Sequence, residues 1–365
     1  MGPWLGRLTL LFLALLQPFS CHARPLALLR LDYDAAKLGS TDRAVLSLPS
    51  SLEAVGLEEP VSEACQNRTY TRYVPVQTTD KLREALWEAE PGDLVELLPG
   101  TYDRPLGHNL SISERHGTED ERITICGPRS AVITGAGDYI DRPDIFVIDN
   151  CTYVTVAGIT FVYGYKGIIV ERSIDIILDN LRVAYTDQEG GAPALQHYIQ
   201  YCDDPGNGEG VYIGSNAYTE DAIPDRSDYN QVLYNRIGPR VTAEMVDVKE
   251  NTQHGLIEGN TFDGSGLTDA NFADSWVDIK GNNWTIRGNV GTHTIGDGFQ
   301  THDKLPPLSG EYNSFEGNTC NNMTYPSLCV RIACDPGRTL CHNVVTCDNV
   351  VAGGNGLLSN LKCTA

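Results

Sequence analysis

The sequence predicts an all-β chain wound as a parallel β-helix, a solenoid that follows a single short helix. Three observations carry this. First, short β-runs split by Gly, Asn and Asp recur at a near-constant interval. FVIDNC, IIVERS, VYIGSN, VDVKEN, VDIKGN and FQTHDK align so that Asp149, Glu171, Gly214, Lys249, Lys280 and His302 share one column. Asp149 to Glu171 and Lys280 to His302 are both 22 residues, and the longer gaps read as insertions. Second, another column holds Asn180, Asn235, Asn260, Asn289, Asn318 and Asn349, several of them in the phrases EGN and RGN. Coils stacked about 4.8 Å apart put equivalent residues into ladders. Asn suits such a ladder because it tolerates a left-handed corner and its amide can bond to the Asn of the next coil. A β-sandwich with chance repeats does not explain that column. Third, one segment alone, TTDKLREALWEAEPGD, has a helical period.

In chain order, residues 1–23 read as a secretory signal: Arg7 precedes an apolar run, Leu8 to Leu16, followed by small and polar residues. The run is too short for a membrane span. Residues 24–64 show weak periodicity and read as an N-terminal arm or propeptide. Residues 65–365 form the solenoid domain. In its helix Thr79 can cap, Leu82, Ala85, Leu86 and Ala89 share a face, and Pro91-Gly92 ends the element. LVELLPGTY then alternates as a strand with a turn at Pro99-Gly100.

Composition narrows the function. The chain has 48 acidic and 27 basic side chains and a formal charge of -21. Nucleic acid and anionic membrane need a broad basic surface, so neither is an expected partner. With Cys21 removed in the signal, the remaining cysteines are even in number and, in a secreted chain, are expected to pair. The spacings contain no CxxC, which disfavours zinc. N-glycosylation sequons begin at Asn67, Asn109, Asn150, Asn283 and Asn322. These features describe an extracellular glycoprotein, expected as a monomer.

The phrase AEPGDLVELLPGTY, the helix before it and the stacked GN corners resemble the right-handed parallel β-helix proteins of the pectate-lyase superfamily, over roughly residues 78 to 360. The resemblance implies a right-handed coil whose opening helix caps the N-terminal end of the core. It is specific for fold and less so for activity.

Residues two apart on a strand share a face. Asp247 and Lys249 of VDVKEN, and Asp278 and Lys280 of VDIKGN, therefore point outward, with Gln300 and His302 in the same columns one coil on and Arg331 beyond Gln300. Glu244 lies just upstream. Such a strip suits β-elimination on a uronic acid polysaccharide. That reaction needs a cation on the C5 carboxylate and a base for the C5 proton. Asp247, Asp278 and Glu244 are candidate calcium ligands, Lys249, Lys280 and Arg331 candidate base or carboxylate clamp, and His302 and Gln300 candidate substrate contacts. E-M-V-D-V-K is similar to the acidic-plus-Lys segment of pectate, alginate and chondroitin lyases, which implies calcium or substrate roles for Asp247 and Lys249, and Glu244 after them. The W-x-D-H and R-x-P-x-x-R segments of the main pectate-lyase type are absent, so the base stays open among Lys280, Lys249 and Arg331. The bland alternative is cross-strand Asp–Lys pairs that merely solubilise an exposed sheet. A polygalacturonase-type hydrolase, with Asp247 and Asp278 as the carboxylate pair, and a non-catalytic glycan-binding protein are the competing functions. Tyr198, Tyr201, Tyr212 and Tyr218 in the insertion 190–222 are candidates to wall a sugar groove.

Overall fold

A computed structural model describes residues 61–104, 110–135, 144–186, 207–216, 225–302, 309–333 and 342–365. The signal and most of the arm, residues 1–60, lie outside these, as do Asn109, Tyr198, Tyr201, Tyr218, Cys202, Cys334 and Cys341.

The strands form three parallel sheets, the first of ten strands, the second and third of nine. Each coil visits the sheets in turn. Val246–Val248 lies in the third sheet, Leu256–Glu258 in the first, Thr261–Asp263 in the second, and Val277–Ile279 returns to the third beside Val246–Val248. The fold is therefore an all-β parallel β-helix. Inward residues on each strand are apolar because the solenoid has one interior. Val246, Val248, Ile257, Phe262, Val277 and Ile279 are fully buried in one continuous core. Aromatic rings stack along that core, with Phe299 at 5.6 Å from Trp276, 6.2 Å from Phe262 and 6.5 Å from Phe315. Gly291 is required there, since a Cβ would sit 2.2 Å from the Trp276 ring.

Among the described residues, the one α-helix spans Thr79–Trp87 and buries Leu82, Ala85 and Leu86 in the same core. Its cap is Thr78, not Thr79: the Thr78 hydroxyl accepts from the Lys81 backbone N–H at 3.3 Å. A strand that the sequence pattern did not reveal, Arg72–Val76, precedes the helix and opens the first sheet against Asp93–Leu97.

The Asn column forms a buried ladder at the corner between first and second sheets. The Nδ2 of Asn235, Asn260, Asn289 and Asn318 each donates to the Oδ1 of the next Asn, ending at Asn349, at 2.9–3.0 Å. Each Oδ1 also accepts the preceding Asn backbone N–H, at 2.8–3.0 Å. The left-handed turn falls on the residue before the ladder: Gly259, Gly288 and Gly317 have φ of 67, 61 and 57°. The division of labour is physical, because Gly bears no steric penalty there while the Asn amide points inward to bond. Asn180 departs from the expected column. It takes the left-handed corner itself, at φ 49°, beside Tyr234, and Leu181 occupies the ladder position.

Cys65–Cys126, Cys320–Cys329 and Cys347–Cys363 are disulfides. Cys151 is a correction to full pairing: it is buried and free, its thiol facing the Ile112 and Asp149 carbonyl oxygens. The sequon asparagines Asn67, Asn150, Asn283 and Asn322 are all exposed.

Asn289→Ala removes the acceptor of the Asn260 backbone N–H, one of the two acceptors of Asn260 Nδ2, one of the two donors to Asn318 Oδ1 and the side-chain donor to the Ile257 carbonyl. Each orphaned buried group costs about 1–3 kcal/mol, so urea unfolding is expected to show a loss of roughly 3–5 kcal/mol. Gly288→Ala, with nothing within 4 Å of the new Cβ, should cost only the left-handed penalty of about 1–2 kcal/mol.

Candidate functional site

The third sheet sets the site. Its register places Tyr212, Asp247, Asp278, Gln300 and Arg331 in one outward row on successive strands. Two residues further along each strand, Lys249, Lys280 and His302 form the neighbouring row. The two rows face out, yet Asp247, Asp278, Lys280 and Gln300 are buried.

Lys280 is the centre of this arrangement. Its ammonium donates to Asp247 Oδ1 at 2.7 Å and to Asp278 Oδ2 at 2.6 Å. Burial alone would favour the free amine, but Asp247, Asp278 and Glu244 overcome it and hold the Lys280 ammonium well above its ordinary pKa. The same attraction runs the other way. Burial opposes ionisation of Asp278, yet Lys280 and His302 hold its carboxyl well below the usual range. Asp247 is held low by Lys280 and Lys249 against the same burial. Lys280 is thus a fixed cation and Asp247 and Asp278 fixed anions. His302 Nδ1 lies 2.8 Å from Asp278 Oδ1, which leaves Nε2 for the outer side of the row. Lys249 is more open, with 13% of its side chain exposed, and it has one carboxylate partner, Asp247 Oδ2 at 2.5 Å.

A further row, three residues before the first, adds groups that the sequence analysis did not select. Lys166, Glu209 and Glu244 lie side by side, and Lys166 ion-pairs with Glu209. Lys166 and Lys249 both stand over the Tyr212 ring, at 4.7 and 4.6 Å from its centroid. Burial, with Asp247 and Glu209 nearby, pushes the Tyr212 hydroxyl far up, so it keeps its proton. Glu209 and Lys166 were legible in principle. GEGVYIGSN and AEMVDVKEN align residue for residue, which places Glu209 in the Glu244 column, and YKGIIVE places Lys166 in it too.

Oxygens of Glu209, Glu244 and Asp247 lie within 4.8 Å of one another, and all three residues are buried. A hard cation binds all-oxygen sets at about 2.4 Å, so two such bonds span that separation and the donor set fits. Burial and the Asp247 charge raise Glu244 well above the ordinary carboxyl pKa, and Lys280 offsets this only in part. Asp278 is not in this trio; its carboxylate bonds to Lys280 and His302. At the far end, Gln300 Nε2 donates to Asp274 Oδ1 at 2.7 Å. Arg331 Nη1 pairs with Asp297 Oδ2 at 3.2 Å, half exposed, apart from the Lys280 lattice.

The three-sheet coil has counterparts among solved structures. An alginate lyase from Paenibacillus sp. str. FPU-7 is 26% identical, with a TM-score of 0.60 covering 81% of this chain and all of that one. Two fainter likenesses are pectate lyase Pel9A, at 14% identity and TM-score 0.46 over 82% of this chain and 80% of that one, and pectate lyase Bsp165PelA from Bacillus sp. N165 in complex with trigalacturonate, at 11% and 0.40 over 72% and 87%. The fold is the right-handed parallel β-helix of the pectate-lyase-like proteins. No family model matches the sequence, and no curated protein matches it. In this β-helix the polar rows of the third sheet are the candidate site. Among the described residues no helix is long and apolar enough to cross a membrane.

The Glu244 carboxyl gives a pH prediction. In the unfolded chain it ionises near 4.3, whereas folded Glu244 holds its proton to higher pH. The native state then binds more protons, so its contribution lowers stability as pH rises from about 4.3. Asp247 and Asp278 act oppositely: their stabilisation is present above about 3.9 and is lost as pH falls further. Glu244→Gln is expected to flatten the alkaline side of a Tm-against-pH curve and leave the acid side unchanged.

Proposed function

We propose that the protein is a secreted, monomeric polysaccharide lyase that cleaves a 1,4-linked uronic acid glycan by β-elimination. The observation that carries this is the lattice Asp247–Lys280–Asp278–His302, with the Glu209, Glu244 and Asp247 trio beside it. It concentrates fixed cations, a cation site and an accessible lysine on one face of a scaffold like that of an alginate lyase. The disulfides support an extracellular setting, and the exposed sequons support glycosylation there.

Glu209, Glu244 and Asp247 would hold calcium in this reading, and the ion would supply positive charge for the substrate carboxylate. Lys280, locked as a cation between two carboxylates, adds to that charge and fixes Asp247. Lys249 is the base, because it is the more open lysine and has a single carboxylate partner. It takes the C5 proton, the C4–O4 bond breaks as C4=C5 forms, and O4 takes a proton from water. His302, oriented by Asp278, together with Gln300 and Arg331, lines the path of the chain along the face.

The second reading, a polygalacturonase-type hydrolase, has one observation in its favour. Glu244 and Asp247 are neighbouring carboxyls whose surroundings raise one and lower the other, as acid and base roles require. A lyase makes an unsaturated uronate with a rise in ultraviolet absorbance, and a hydrolase makes only reducing ends.

Alginate and polygalacturonate are the first substrates to offer. Absorbance at the unsaturated-product wavelength should rise. Lys249→Ala should lower kcat by 10²-fold or more. Reducing ends without absorbance would favour the hydrolase, and neither signal on any uronan would overturn both readings. Chelation should lower activity and Tm together. Calcium at a hundred times its Kd should return about 2.7 kcal/mol to the wild type and little to Glu209→Gln, read by thermal unfolding.

A further inference from the structure

A second charged feature lies away from the third sheet, at the corner between the first and second sheets. Arg182 and Arg236 are direct cross-strand partners in the second sheet, and both are exposed. Like charges side by side at the strand spacing of about 4.8 Å are destabilising. Neither side chain forms an ion pair or hydrogen bond among the described residues, in a chain with 48 acidic side chains to choose from. Arg129 joins them. Its guanidinium donates to Asn180 Oδ1 at 2.7 Å, and burial together with the charges of Arg182 and Arg236 lowers its pKa.

Asn180 connects these arginines to an open cavity of about 570 Å³, which Arg68, Asp179 and Tyr234 also line. Arg68 pairs with Asp179 at 3.0 Å, so the Asp179 charge is already met. Tyr234 is 57% exposed. Its ring packs over Gly259, where a Cβ would come within 2.5 Å of the ring carbons. An exposed aromatic ring suits the apolar face of a sugar, and guanidinium forks suit a carboxylate bidentately. The corner brings the two together two residues apart on the same coils: Asn180 with Arg182, and Tyr234 with Arg236.

We propose that this corner is a second glycan-binding site, specific for carboxylate-bearing sugars, in which Arg182 and Arg236 take the carboxylate and Tyr234 the sugar ring. It breaks no bond and does not depend on the lyase reading. A binding site remote from the third sheet would hold the protein on a polymer while the polar rows engage another stretch of chain, raising effective concentration there.

The test is calorimetric titration of the full chain carrying Lys249→Ala, which prevents turnover, with oligogalacturonate and oligomannuronate. Protein made without N-glycans is used, since Asn67 also lines the cavity. Two binding events are expected. Arg182→Ser with Arg236→Ser should remove one of them, or weaken it at least tenfold, at unchanged Tm. Tyr234→Ala should weaken the same event, and Arg182→Lys with Arg236→Lys should retain part of it, with charge but no fork. Neutral malto-oligosaccharides should not bind there. Binding that the double Ser variant leaves unchanged, whether one event or two, no binding in the parent, or equal binding of the neutral sugar would each overturn the proposal. In a chain with Lys249 intact, the double Ser variant should cleave short oligouronates at the parent rate, so that loss of this site and loss of the lyase reading are distinguishable.

Discussion

Everything on the third sheet depends on coils stacking without a slip. A shift of one residue in a strand turns every side chain to the other face, which would bury Lys280 in the core and expose Val277 and Ile279. The Asn ladder helps to hold that register. Each Asn accepts twice from the coil before it and donates to the coil after it, so a slipped coil would leave buried amides unpaired. The apolar core gives most of the driving force but is tolerant of register, since Val and Ile on neighbouring coils are interchangeable in size. The polar ladder at the corner is not tolerant. Insertions fall in the connections into and out of the third sheet, away from that corner, which is why the spacing of site strands in sequence varies while their spacing in space does not.

The site charges are set by that stacking. Asp247 and Asp278 are cross-strand neighbours and would repel, but Lys280, two residues after Asp278, reaches both. Burying such a lattice is costly: an ion pair in a protein interior commonly does no better than a hydrophobic replacement of the same volume. A solubilising role fails to account for it, because solubilising pairs sit in water and these do not. The cost makes sense where fixed charge is needed for chemistry, and charges already ordered do not have to reorganise when substrate arrives.

Much of this was legible in the sequence, for a physical reason. A ladder fold repeats in sequence what it repeats in space, so aligning VDVKEN with VDIKGN paired Asp247 with Asp278 and Lys249 with Lys280 directly. The same alignment, extended three residues upstream, holds Lys166 and Glu209. They stayed hidden because Glu209 follows a long insertion and its strand carries Tyr212 and Gly214 where the others carry Asp and Lys. Contacts between rows were not legible. Nothing in the spacing says that Lys280 bonds to two carboxylates and Lys249 to one, or that Asp278 turns to His302 and Glu209 joins Glu244, because those choices depend on side-chain rotamers and loop cover. The Asn180 register failed for a local reason: Asn serves both as a left-handed corner and as a ladder amide, and the letter alone does not distinguish the two.

The net charge of -21 at first excludes a polyanion, and the structure shows why the exclusion is weaker than it looks. At physiological ionic strength an exposed charge is screened beyond about 8 Å, so a bound carboxylate responds to its immediate neighbours and little to the total. On the third sheet those neighbours are Lys166, Lys249 and Lys280, each already matched to an acid, which leaves the row close to neutral until a cation joins the trio. At the corner, Arg182 and Arg236 have no acid to match them. Under the two proposals these places would meet the same kind of anion by different means. One is a balanced lattice that a metal would tip positive, and the other a bare positive pair. The background acidity would then limit non-specific attachment of anionic chains elsewhere on the surface, so that a uronan would be retained only where the local sign is reversed.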